Sequence, residues 1–150
     1  MRKLILLAIF SFISATSTSF ASDEFDENVT QIKAILSRIN TEEVSIADMF
    51  EMTLLAEGLS DAAHGECLEE IKPSLNELIL GIYIARQSIR KQEEFYDDQL
   101  NELEGRIEDI SLADILEIKM KGKYISRAYL HLGMVSDEIS KAAFNSTPCE

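Results

Sequence analysis

Histidine and cysteine are the side chains best equipped for chemistry here, and the chain has two of each. Asp61-x-x-His64 has the spacing of one helical metal-binding pair. A di-iron bundle needs two Glu-x-x-His pairs and two further inward carboxylates. The second histidine, His131, has Ala128 three residues before it, so that set is incomplete. His64-Gly65-Glu66-Cys67 contains metal-ligand residue types, but its cysteine is better used in a disulfide. Five methionines, Met1 among them, form no copper-binding cluster, and Met49 and Met52 fall on an apolar helical stripe. Serine nucleophiles lack the Gly-x-Ser-x-Gly turn that would present them, and no glycine-rich phosphate loop occurs. Glu93-Glu94 and Asp97-Asp98 are acidic pairs, yet adjacent carboxylates on a helix point apart. The chain also has no Trp to act as a sugar platform. The expectation is a protein with no cofactor, no metal and no catalytic site.

Cys67 and Cys149 have a different use. Residues 1–21 have the layout of an export signal. Arg2 and Lys3 lead, residues 4–13 form an apolar run, and Ser19-Phe20-Ala21 supplies small residues at the positions a signal peptidase reads. That run is shorter than the roughly 20 residues needed to span a bilayer, so no stable membrane insertion is expected. In an oxidising compartment the two cysteines read as one disulfide. Cleavage near Ala21 would leave a single helical domain, residues 22–150, in the periplasm or outside the cell. Loss of Arg2 and Lys3 takes the 14 basic residues to 12 against 27 acidic ones, a net charge of −15. Such a chain has no basic footprint for nucleic acid or anionic lipid.

The elements that must position these residues read as helices. Residues 26–39 carry Val29, Ile32, Leu36 and Ile39 at helical spacing, and residues 46–64 carry Met49, Met52, Ala56, Leu59 and Ala63. Gly65 is a natural stop. A third segment, starting at Pro73, carries Leu78, Ile82, Ala85 and Ile89, then Tyr96, Leu100, Leu103 and Ile107. A fourth, residues 112–144, carries Ile115, Ile118, Gly122, Ile125, Tyr129, Leu132 and Ile139. Two starts look alike: residues 44–52 match residues 110–118, each with Ser followed three residues later by Asp and flanked by apolar staple positions. Cap physics alone would produce most of this match, and duplication of a helical hairpin is the other reading.

The simplest packing is all-α: an up-down-up-down four-helix bundle with a long second hairpin and one disulfide. Cys67 and Cys149 then lie at the same end. The second hairpin outruns the first near Phe95. Its tip either stays uncovered, inviting a dimer mate or partner, or folds back at a break at Asp97-Asp98. The candidate partner or dimer surface is Tyr96, Leu100, Leu103, Ile107, Ile115 and Ile118, with the basic stripe Lys119, Lys123 and Arg127. Eight acidic residues between Glu93 and Asp109 answer that stripe from the other arm. Either the two charged faces bridge each other, or they form a bipolar tip that a partner recognises.

Leu55-Ala56-Glu57-Gly58-Leu59-Ser60-Asp61-Ala62, followed by Cys67 and a terminal Pro148-Cys149, resembles the periplasmic immunity proteins of the Tai class. Those are helical proteins that neutralise effectors delivered by type VI secretion. The resemblance implies inhibition by binding, without catalysis. The expectation is therefore an exported protein that binds another protein, such as a secreted effector, as an inhibitor or immunity protein. An envelope chaperone or stress protein that binds unfolded clients is the alternative, and a metal-binding bundle is a third reading.

Overall fold

The computed structural model describes residues 22–41, 44–104 and 111–149. The proposed export signal and Ile107 lie outside the described residues. Among the described residues four helices follow in order: α1 (Asp23–Thr41), α2 (Ile46–Ala62), α3 (Leu68–Glu104) and α4 (Leu112–Asn145).

Each helix starts and stops for local reasons. Ser22 caps α1, its hydroxyl accepting the Phe25 N–H, and Asp23, Glu24 and Asp26 place negative charge on the positive end of the helix dipole. Ser45 caps α2 by accepting the Asp48 N–H at 3.0 Å and donating its hydroxyl to the Asp48 carboxylate at 2.7 Å. Ser111 caps α4 differently, accepting the Ala113 N–H at 3.2 Å. The two similar starts therefore share the cap residue but not its hydrogen-bond partner. α2 ends through Ala63 into Gly65, whose φ of 91° is a left-handed conformation that a side chain would strain.

α3 begins at Leu68, five residues before the expected start at Pro73. Cys67 serves as its cap, its carbonyl accepting from Glu70 and Ile71 at 3.1 and 3.2 Å. Pro73 costs only the bond to the Glu69 carbonyl near the helix start. Full burial of Ile71 and near-full burial of Leu75 hold the early turns in place. α3 also runs unbroken through Asp97-Asp98, so the tip does not fold back.

One core holds the four helices. Val29, Ile32, Leu36 and Ile39 of α1 are buried, as are Met49, Met52, Ala56 and Leu59 of α2 and Leu78, Ile82, Ala85 and Ile89 of α3. From α4 come Ile125, Leu132 and Ile139, together with Ala128, Val135 and Ala142. Each large aliphatic side chain buried this way contributes about 1.5–3 kcal/mol. Val44, in the turn between α1 and α2, closes the core at the end nearer the tip.

α1 packs on α2 and α3, and α4 packs on the same two helices. The α2 and α3 helices thus face each other across a diagonal, and the short connection around Gly65 crosses it. The order is up-down-up-down, with α1 parallel to α3 and α2 parallel to α4. Lys33 of α1 meets Glu77 of α3 at 2.6 Å, at similar distances along both helices. α1 approaches α3 closely: a Cβ on Gly81 would lie 2.9 Å from Leu36 Cδ1.

The Cys67–Cys149 disulfide forms at the end where α2 and α4 finish, with the Cα atoms 4.9 Å apart. The tail after α4 pairs there with the connection: the Leu68 N–H donates to the Thr147 carbonyl and the Thr147 N–H to the Glu66 carbonyl, both at 2.9 Å. Asn145 Nδ2 adds bonds to the carbonyl and hydroxyl of Ser60 at 3.0 Å.

Candidate functional site

α3 and α4 continue past the turn that ends α1, so the second hairpin projects beyond the four-helix section. In this projection the seam residues Tyr96, Leu100, Leu103, Ile115 and Ile118 are all half-buried. They cover one another across the hairpin, and among the described residues no third helix covers Leu100, Leu103, Ile115 or Ile118, while Tyr96 also packs against the core. A Cβ on Gly122 would sit 3.9 Å from Tyr96 Cβ, an ordinary contact, so the approach of the arms there does not require glycine. Tyr96 also meets Phe95 edge-on, with ring centroids 5.5 Å apart, and Phe95 is exposed. At the root of the hairpin, Val44, Gln92, Tyr96, Lys121, Tyr124 and Ile125 line a cleft of about 40 Å³. The Tyr124 hydroxyl is buried without a hydrogen-bond partner among the described residues. Burial, followed by the negative charge of Asp48, raises its pKa above the usual phenol value.

Two ion pairs at the tip lie within single helices: Arg90 with Glu94 at 3.7 Å on α3, and Lys121 with Glu117 at 3.0 Å on α4. Lys119, Lys123 and Arg127 are exposed and meet no carboxylate at ion-pair distance among the described residues. Asp97, Asp98 and Glu102 are likewise exposed on α3. The rest of the acidic arm, from Glu104 to Asp109, lies outside the described side chains, so the expectation of bridged faces concerns residues beyond these. Aliphatic side chains occupy the seam between the arms and turn the acidic and basic groups outward. A cross-arm polar contact, from the Ser126 hydroxyl to Glu93, sits near the root.

The histidines remain apart in their roles. His64 Nδ1 lies 3.0 Å from the Asp61 carbonyl, a local contact at the end of α2. His131 stacks near Phe50, with ring centroids 6.1 Å apart. Cys67, Glu69 and Cys149 converge at the disulfide end. With the sulfurs bonded to each other, the Glu69 carboxylate acts as an acceptor for the Cys149 N–H, at 3.3 Å. Gly58 and Ser60, within the segment that carries the family resemblance, have packing roles. Gly58 makes room for Asn28 of α1, and Ser60 is buried under Asn145.

No protein-family model, curated protein or solved structure matches this chain.

The structure also shows a surface the sequence reading missed. Ile46, Phe50 and Leu54 of α2 are 57%, 62% and 68% exposed, and Leu130 and Met134 of α4 are 66% and 56% exposed. The signal was present as four-residue spacing: Ile46, Phe50 and Leu54 form a second apolar stripe beside the buried one. α2 is apolar on most sides, so spacing alone does not separate its buried stripe from its exposed one.

Proposed function

We infer that this is an exported helical protein that acts by binding another protein, as an inhibitor or immunity protein does. The observation that carries this reading is the uncovered hairpin tip. Five apolar seam residues are left half-buried on a two-helix projection, flanked by acidic groups on one arm and basic groups on the other. An apolar centre with a charged rim is the usual anatomy of a protein-binding patch. Export is supported by the signal-like residues 1–21 and by the disulfide, which suits an oxidising compartment. Among the described residues no helix is long and apolar enough to cross a membrane. The resemblance to the Tai-class immunity proteins would make a secreted effector the partner.

The exposed apolar residues of α2 and α4 favour a second reading, that of an envelope chaperone with unfolded clients. Affinity capture from a cell envelope separates the two. The inhibitor reading predicts one partner at fixed stoichiometry, lost when Leu100 and Leu103 are both replaced by Asp. A heterogeneous set of clients, or a partner retained by that variant, would count against it.

A further inference from the structure

Ser22 is the residue that follows the expected export cut, and each of its polar groups has a partner. Its carbonyl accepts the Asp26 N–H at 3.1 Å and its hydroxyl accepts the Phe25 N–H at 3.4 Å, which makes it the cap of α1. Its nitrogen donates to Glu66 Oε1 at 2.9 Å, a contact that spans 44 residues of sequence. The cap does not require that last bond. Water serves an exposed peptide N–H almost as well, so a carboxylate held against this nitrogen points to a stronger donor.

In the uncut chain Ser22 N is a neutral peptide amide. Hydrolysis of the Ala21–Ser22 bond adds one water. The Ala21 carbonyl carbon takes the oxygen and leaves as a carboxylate, and Ser22 N takes the protons and becomes an ammonium. The same contact then joins opposite charges, and a charge-assisted hydrogen bond is roughly twice as strong as a neutral one. The position of the cut matters. One residue later it would remove the cap hydroxyl. One residue earlier it would set the ammonium on Ala21, about 3.8 Å away along the chain. An ammonium at a helix start also meets the positive end of the helix dipole. Asp23, Glu24 and Asp26 in the first turn, and Glu66 from the connection, offset that cost. Glu66 is itself well fixed: its carbonyl accepts the Thr147 N–H at 2.9 Å and the Thr147 hydroxyl at 3.2 Å, beside the Cys67–Cys149 bridge.

We propose that removal of residues 1–21 creates a latch: the new Ser22 ammonium pairs with the Glu66 carboxylate and fastens the start of α1 to the disulfide end. The cut rests on the export reading above, and the latch rests on the Ser22–Glu66 contact. One residue, Glu66, then holds the start of α1 by its side chain and the tail after α4 by its backbone. Cutting and oxidation both belong to the exported protein, so this end is completed only after export. The pair is exposed, and its effect is that of a surface ion pair. The carboxylate raises the pKa of the amine in the folded state. The stabilisation is therefore full below the amine's unfolded pKa and is lost as pH rises through the folded value.

The test starts from the full chain, expressed in a bacterial host and recovered from the periplasm with its disulfide formed. Intact mass should show the loss of residues 1–21. Trace acetylation across a pH series, read by mass spectrometry of the N-terminal peptide, then gives the proton affinity of the α-amine. The amine should hold its proton about threefold more tightly in the wild type than in E66Q, and about 1 M salt should close the gap. E66Q keeps an acceptor oxygen and the backbone carbonyl, and helical circular dichroism shows that it remains folded. Asp23, Glu24, Asp26, Glu69 and Glu70 are common to both chains, so the difference isolates the Glu66 charge. The wild type should also melt above E66Q near neutral pH and level with it at about pH 10. A chain that keeps residues 1–21 would overturn both the latch and the export reading. A cut elsewhere would overturn the latch alone. So would an amine that is indifferent to Glu66→Gln after a cut before Ser22.

Discussion

At the residue scale, Asp48 ties the start of α2 to the end of α1. The Arg38 guanidinium beside it holds its carboxyl below the usual carboxylate value. Partial burial opposes this shift, and the Ser45 hydroxyl and N–H reinforce it. A carboxylate whose folded pKa is lowered stabilises the fold above its unfolded pKa, and that contribution is lost as pH falls through the folded value. The melting temperature should therefore drop below about pH 4, and Asp48→Asn should remove part of that drop. The same change should cost about 1 kcal/mol at neutral pH, because the pair is partly exposed and the cap is weakened. Denaturant titrations at pH 7 and pH 3 check both statements. Ser45 and Asp48 were legible in the sequence because a cap is a local device. Arg38 was not, because its meeting with Asp48 depends on how α1 turns into α2.

At the element scale, apolar spacing read the helices well where both sides of a stripe are buried. Met49, Met52, Ala56, Leu59 and Ala63 all lie in the core. The spacing was less informative at the start of α3, where Pro73 looked like a first helical residue. The preceding turn is held by Cys67, Ile71 and the returning tail, and these are long-range contacts that local sequence does not encode. The diagonal placement of α2 and α3 is equally non-local, since both diagonal and side-by-side hairpins satisfy the same helix order. The disulfide closes a separation of 82 residues. The chain-entropy model assigns such a closure about 4–5 kcal/mol, as an upper figure. Replacing Cys67 and Cys149 by Ser should lower the unfolding free energy toward that amount without changing helix content. The tail should stay docked through Thr147 and Asn145 near neutral pH. Equilibrium urea unfolding of the two forms gives the difference, and equal stability would show that the bridge does not constrain the unfolded chain.

At the scale of the whole molecule, the disulfide end and the tip proposed for recognition are held differently. The disulfide end joins the connection, α3 and α4 through backbone pairing, a side-chain amide and a covalent bond. Among the described residues the tip is a two-helix seam. The candidate surface was half legible in sequence. The lengths of α3 and α4 showed that the tip would project, and Tyr96, Leu100, Leu103, Ile115 and Ile118 do line it. The outward turn of Lys119, Lys123 and Arg127 depended on which side chains won the seam, which spacing alone left open. The most direct measurement of the central claim is hydrogen exchange on the captured complex. In the free protein, residues 95–104 and 111–122 should exchange faster than the four-helix section, because fewer contacts hold the helices there. Partner binding should slow exchange at these two segments above all others. Protection confined to α1, or an unchanged tip in a stoichiometric complex, would contradict the account.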